Sequence, residues 1–425
     1  MKIAALSLEP PLAASRRRPG RWTRFALVAG PGLVVMLADT DAGSIITAAQ
    51  SGAQWGYSLL LLQLLLVPIL YMVQELAVRL GVVTRQGHGR AIREHFGRGW
   101  AWLSVGTLLV ACVGALVTEL SGIAGVGALA GIPAPASMAI VVVGLTVMGV
   151  TGSYRTVERI ALAVGLFEVA FLVVAWQARP DAGAALAGMA AVPWREPQYL
   201  YLIAANIGAV IMPWMVFYQQ SAVAEKGLTV ADLPAARLDT AVGAVVTQLI
   251  MAAVLVAAAA TIGRAQAYRQ GSLDTVQQIA HALTPLLGER AGTLMFALGM
   301  IGAALVATIV VTLTAARTLG EVLGFEHSLA RGVHEAPWFY GTYALTLALG
   351  GALVASGVDL VRLSIGVQVM NALLLPLVLG LLFLLARRAL PPPHRLQGPY
   401  AALVGAALAL SAGLGLYAGI AGALS

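Results

Sequence analysis

Residues 30–60 read GPGLVVMLADTDAGSIITAAQSGAQWGYSLL, an apolar run long enough to cross a bilayer that carries two aspartates, Asp39 and Asp41, near its middle. A carboxylate at the bilayer centre costs about 2.5–3.5 kcal/mol on insertion scales and needs a cation, a partner or water. The pair stands beside Gly43 and is followed by Ser44, Thr47, Gln50 and Ser51, a stretch too polar for simple packing. Asp-Ala-Gly-Ser is poor helix and good turn chemistry, so this span is expected to break at mid-membrane. Unwound backbone there exposes carbonyls that can coordinate a cation beside the carboxylate.

The rest of the chain has the same character. Of its 425 residues 59% are hydrophobic and 11% charged, where a soluble domain carries about 25% charge. That excludes an ordinary soluble protein. Apolar blocks fall near 25–50, 57–83, 99–131, 135–152, 160–178, 199–220, 238–263, 291–316, 338–356, 361–386 and 399–423, which reads as an all-α polytopic membrane protein of eleven spans. A basic segment, 1–24, precedes a single transmembrane domain, 25–425. The basic stretch Arg16–Arg18 could be mistaken for a signal peptide, but the apolar run after it holds two aspartates and no suitably placed cleavage site, so it is read as the first span. Placing the N-terminus in the cytoplasm puts most of the 26 Lys and Arg residues inside, leaving Arg179, Arg195, Arg264, Arg269, Arg290 and Arg362 outside. With eleven spans the C-terminus is then outside. The net charge of +7 lies in loops and termini, without interleaved aromatics, and gives no support to nucleic-acid binding. The single cysteine, Cys112, sits in an apolar block and reads as a small buried hydrophobe.

A second break is expected in the sixth block, NIGAVIMPWMVFYQQSAVAEKG, where Pro213 stands in mid-span. Proline removes one helical hydrogen bond and pushes the preceding residue, Met212, out of helical geometry. Corresponding interruptions in the two halves of a transporter point to a midplane site between inverted repeats. Here the halves are spans one to five (about 25–178) and six to ten (about 199–386), with an extra helix at about 399–423. A thioether at such a break matters because soft ligands favour transition metals over calcium or magnesium. Methionine is also common core filler, and both readings of Met212 stand; Met215, almost a turn further, reads as packing.

The other ionisable residues read at membrane depth are Glu75, Arg79 and Glu119. Glu75 and Arg79, four apart on one face, read as a structural pair. Glu119 has no cation within a helical turn, leaving a proton-path or second-cation role open beside a helix–helix hydrogen bond. Gln368 and Asn371 lie three apart on one face of the tenth span, with Gln368 a secondary contact to the site. Asp359 and Arg362 are expected to cap that span from outside. The histidines, His88, His95, His281, His327, His334 and His394, fall in loops or span ends, without the spacing of a zinc site or catalytic dyad.

GPGLVVMLADTDAGS, followed by QSGAQWGYSLL and ELAVRLGVVT, then IMPWMVFYQQS and LLLPLVLGLLFLLA, resembles the natural resistance-associated macrophage protein (NRAMP) family of divalent-metal transporters along almost the whole chain. The resemblance implies a LeuT-type fold: two inverted five-helix repeats plus an eleventh helix, working by alternating access. It also implies a metal site of Asp41, Ser44 and Met212, with the backbone carbonyls of Ala38 and Ala209. The family's Asp-Pro-Gly-Asn reads Asp41, Ala42, Gly43, Ser44 here, so a hydroxyl replaces an amide. Its Met-Pro-His reads Met212, Pro213, Trp214, so the histidine implicated in proton handling is lost. Its Asp-Leu-Ala-Glu reads Glu119, Leu120, Ser121, Gly122, so one of two acids of the proton route is gone, leaving Glu119 and Asp39. These departures resemble the NRAMP-related branch that includes magnesium transporters, although that branch typically lacks the methionine.

The expectation is an importer of a divalent transition metal such as manganese, with magnesium the nearest alternative and with weak or absent proton coupling. The implied partners are the metal, as substrate rather than cofactor, and the lipid bilayer of a bacterial inner membrane. An organic-substrate or sodium-coupled carrier of LeuT type is a further alternative, but two aspartates at the break would repel an anionic substrate. An intramembrane enzyme would need a nucleophile–base pair or a histidine metal cluster, and neither is read at membrane depth. A non-transporting sensor is separated from these by a transport assay.

Overall fold

The structure, a computed structural model, describes residues 28–152, 154–261, 278–280, 288–326, 328–329, 331–357 and 360–424. The basic segment 1–24, His281, His327 and Asp359 lie outside the described residues. Among those described, ten helices are long and apolar enough to cross a membrane, and a bent pair adds an eleventh.

The bent pair is the first span. Its halves, α1 (Pro31–Asp39) and α2 (Ala42–Trp55), meet at 48°. Between them Asp41 is extended, with φ −73° and ψ 171°, and its side chain caps α2. The sixth span is likewise two half-helices, α3 (Pro197–Val210) and α4 (Pro213–Glu225), separated by Ile211 and Met212. Pro213 takes the first position of α4, where its missing N–H costs nothing, and holds Met212 extended at φ −91°, ψ 140°.

The two halves of the chain correspond helix by helix. The third and eighth spans, Arg98–Leu129 and Arg290–Leu323, are both long and pack against each other. The fourth and ninth, Ala134–Thr151 and Pro337–Ala355, are the short ones and also pair. The first span packs on the seventh, Val230–Thr261, and α4 packs on the second, Leu60–Thr84, which is the same contact with the halves exchanged. A fifth span, Thr156–Gln177, and a tenth, Val361–Arg388, complete the halves, and the eleventh, Gly398–Ala423, lies against α3 and the tenth.

Several helices outrun the expected spans. The first continues to Trp55, the sixth to Glu225 and the eighth to Leu323, and the seventh starts before 238. Charged residues or glycine and proline were expected to end these spans; in the sixth, seventh and eighth the charges are paired between helices, so the helices run through them. At the end of the bundle where the first span begins, Arg317 pairs with Glu225. Lys226 bridges Glu158 at 2.9 Å and the Ala29 carbonyl at 2.8 Å. Asp239 accepts the N–H groups of Gly30 at 3.2 Å and Gly32 at 2.7 Å, tying down the start of α1. Glu75 is held by both Arg79 at 2.6 Å and Arg237 at 2.8 Å. The short amphipathic helix His88–Phe96 closes over this end, with buried His88 bonded to Gln220 at 2.7 Å.

At the opposite end the described residues line two cavities. A cavity of about 780 Å³ is lined by Gln54, Trp55 and Tyr57, by Gly188 of the short helix Ala182–Ala190, and by Gln198. A second cavity of about 480 Å³ reaches Gln50, Tyr201 and Arg362. Both stop some two turns of α2 short of Ser44, roughly 9–14 Å at 1.5 Å rise per residue.

Candidate functional site

The polar groups at the centre are helix ends facing one another. Asp41 is the cap of α2, and its Oδ1 accepts the Ser44 N–H at 2.6 Å. The N–H groups at the start of α2 carry partial positive charge, so this position favours an ionised carboxylate. Gln368 of the tenth span reaches the same oxygen at 3.4 Å and is itself held by Asn371 at 3.0 Å. Across from it the Ser44 hydroxyl donates to the Ala209 carbonyl in the last turn of α3 at 3.1 Å. That bond joins the two breaks directly.

Glu119 of the third span enters from a further side. Its Oε2 accepts the Ala42 N–H at 3.0 Å, next to Asp41 in the chain, while its Oε1 and the Asp41 Oδ2 have no hydrogen-bond partner. Close packing fixes the arrangement: a Cβ on Gly43 would stand 2.4 Å from Gln368 Nε2, and one on Gly122 would stand 2.6 Å from Ala42 Cβ. The acid expected by resemblance at Gly122 therefore has no room here. Asp41, Ser44, Met212 and Glu119 are all fully buried.

The structure thus brings together Asp41, Ser44, Ala209, Gln368 and Glu119. Ala38, in the final turn of α1, and Met212, the cap of α4, are buried at their respective breaks. Met215 packs in the core, and Cys112 is buried and free. The Glu75–Arg79 pair is present, with Arg237 as a third member. Arg362 lines the second cavity. Among the described residues no group of three or more His, Cys, Asp and Glu side chains is placed to hold a metal, so an ion at the break would rely on hydroxyl, carbonyl or thioether ligands.

Asp39 is not part of this cluster. It ends α1, and neither of its oxygens has a hydrogen-bond partner. The reading of ionisable residues at depth also needs correction: Glu168 in the fifth span is fully buried, and Asp239 is buried in the seventh. Glu168 stands alone in an apolar run, and Asp239 bonds backbone of a distant segment; neither has a local partner in the sequence. An isolated acid inside a span was itself the available signal for Glu168.

Two halves, each opened by a broken span with polar groups at the breaks, define a LeuT-type membrane transporter fold. The structure matches the Eremococcus coleocola manganese transporter, solved in complex with an aromatic bis-isothiourea substituted compound, with a TM-score of 0.74 at 18% identity over 99% of this chain and 91% of that one. It matches MhsT in complex with L-phenylalanine with a TM-score of 0.65 at 13% identity over 92% and 98%. The sequence model of the natural resistance-associated macrophage protein-like (Nramp) family covers residues 32–421, and the chain belongs to that family of transporters rather than to any class of enzyme. It is similar to the divalent metal cation transporter MntH of Ralstonia nicotianae, 30% identical over 66% of each chain. It is also similar to the protein of the same name from Verminephrobacter eiseniae, 27% identical over 89% of this chain and 84% of that one.

Proposed function

We propose that the protein imports divalent metal cations by alternating access. The ion is held between the two breaks by the Asp41 carboxylate, the Ser44 hydroxyl, the Met212 thioether and the carbonyls of Ala38 and Ala209. The observation that carries this reading is the 3.1 Å bond from Ser44 to Ala209 beside the Asp41 carboxylate. Hydroxyl and carbonyl satisfy each other without an ion, and both can turn lone pairs to a cation lodged against Asp41. The names of the relatives, divalent metal cation transporters and a manganese transporter, support the same substrate class. The soft Met212 favours manganese or cadmium over calcium. Magnesium is the competing substrate, supported by the hard Ser44 hydroxyl where the family carries an amide.

The ion-paired end, rich in Lys and Arg, faces the cytoplasm of a bacterial inner membrane, and the cavities face outward with the C-terminus. Inward release then requires parting Lys226 from Glu158 and Asp239 from the start of α1, which frees α1 to move. Proton coupling is weak. Trp214 cannot carry a proton, and Gly122 offers no titratable group.

Purified protein in liposomes loaded with a metal-sensitive dye tests the proposal. Manganese entry that cadmium blocks and calcium does not is the expected result; a protein that moves none of these ions, or only magnesium, would contradict it.

A further inference from the structure

Beside the first break lies a second group of oxygens, close enough to Asp41 to act on it electrostatically. Asp39 is 1% exposed and Glu168 is 0% exposed, and none of their four carboxyl oxygens has a hydrogen-bond partner within 3.5 Å. They come from different spans. Glu168 lies on a single 3-10 turn, Leu166–Val169, that interrupts the fifth span. That turn is pressed against the eighth span at Gly302, where an added Cβ would stand 3.0 Å from Phe167 Cβ and 2.7 Å from the Val164 carbonyl. The fifth span also touches the first, Gly165 lying against Leu37. Asp39 and Glu168 act on each other electrostatically, and each also acts on Asp41.

Two further oxygens stand beside them. The hydroxyls of Thr40 and Thr247 bond to each other at 2.6 Å, fastening the break to the seventh span, and Thr40 also acts on the Glu168 carboxyl. Asp39 is the last residue of α1, where the helix's final carbonyls lack partners within the helix and carry partial negative charge. An ionised carboxylate there is repelled by its own helix. Two unpartnered carboxylates, two hydroxyls and helix-end carbonyls form a donor set with no sulfur or nitrogen, the preference of hard cations.

We propose that Asp39 and Glu168, with the Thr40 and Thr247 hydroxyls and the terminal carbonyls of α1 other than that of Ala38, form a second cation site that takes a hard, oxygen-ligated cation. It is separate from the metal site at Asp41 and does not depend on that assignment. Sodium and magnesium share this chemistry. A cation there compensates both buried acids and sits at the joint about which α1 would move, so its occupancy bears on the conformation of the first span.

The test is cation binding by purified full-length protein in detergent, read as equilibrium binding of radioactive sodium and, separately, as magnesium titration calorimetry, in the wild type and in Asp41→Ala. One of the two cations is expected to bind Asp41→Ala at about one ion per chain, undisturbed by saturating cadmium. Glu168→Gln and Asp39→Asn, which keep side-chain shape, should each lose that ion. The wild type alone gives a second reading: after cadmium saturates the metal site, the hard cation should still raise the thermal unfolding temperature. Loss of all cation binding in Asp41→Ala, or an unchanged ion count in both Glu168→Gln and Asp39→Asn, would overturn the proposal. Failure of metal transport in the wild type would overturn the proposed function while leaving this binding result intact.

Discussion

Asp39 and Asp41 are two residues apart at one break, yet the fold gives them opposite surroundings. Asp41 begins α2, where free N–H groups favour its charge, and Ser44, Gln368 and Glu119 converge on it. Asp39 ends α1, where free carbonyls oppose its charge, and no donor reaches it. A helix broken in the middle of a membrane thus creates one end that stabilises an anion and one that attracts a cation. The two acids divide accordingly: Asp41 is the one proposed to hold the metal with the sixth-span thioether, and Asp39 is left without a hydrogen-bond partner.

The largest expected effect follows from Asp41. Asp41→Ala should weaken cadmium and manganese binding by at least about 100-fold, or about 2.7 kcal/mol, in protein that still folds and inserts, as judged by gel filtration and calorimetry. Asp39→Asn should change cadmium affinity far less, and equal losses would erase the distinction between the two acids. Met212→Ala comes next. It should cost about tenfold in cadmium affinity while relaxing the rejection of magnesium and calcium, because water fills the space of a soft ligand. An unchanged rank order of metals would return Met212 to the core.

Gly43→Ala probes the packing that keeps the two regions apart. The new methyl group would stand 2.4 Å from Gln368 Nε2 and 2.9 Å from Thr118 Cγ2. Overpacking of that kind costs about 1–3 kcal/mol, so a lowered unfolding temperature and weakened metal binding are expected together. Normal values for both would mean that the tenth span yields easily.

Proton effects should be smaller. Liposomes containing a pH-sensitive dye should show manganese entry with little acidification at neutral pH, since neither Trp214 nor Gly122 can carry a proton. Stoichiometric acidification that disappears in Glu119→Gln would make Glu119 the proton carrier and contradict weak coupling. A background pH effect comes from neither aspartate. Burial pushes His88, outside the membrane spans, down to about 4, against a raising influence from its bond to Gln220. Its unfolded form binds a proton first, so His88 takes nothing from stability above about pH 6.5 and lowers stability as pH falls from there towards 4, by up to about 1.4 kcal/mol per unit. Thermal unfolding across that range should flatten in His88→Gln.

Both breaks were legible in the sequence because their causes are local. Pro213 dictates one, and the Asp-Ala-Gly-Ser turn dictates the other. The breaks pointed to Asp41 and Met212 as candidates, and the full ligand set, with Ser44 and the Ala38 and Ala209 carbonyls, came from the resemblance to the family. Glu168 was not read because its own run, GLFEVAFLVV, differs from a lipid-facing segment by one residue and the groups around it belong to other spans. Asp239 has a tertiary explanation that no local pattern encodes, the backbone N–H groups of Gly30 and Gly32. The ends of the sixth and eighth spans were misplaced for the same reason: Glu225 and Arg317 look like stops along the chain and are partners across it.

The central claim is that a divalent metal sits between the breaks with Asp41 and Met212 among its ligands. A competition series on the purified wild-type protein tests it most directly, with labelled manganese displaced by cadmium, magnesium or calcium. Displacement by cadmium at concentrations at which calcium and magnesium leave manganese bound is the predicted result. Equal displacement by cadmium and calcium would contradict a thioether at the site, and displacement by magnesium ahead of cadmium would make this a hard-cation transporter instead.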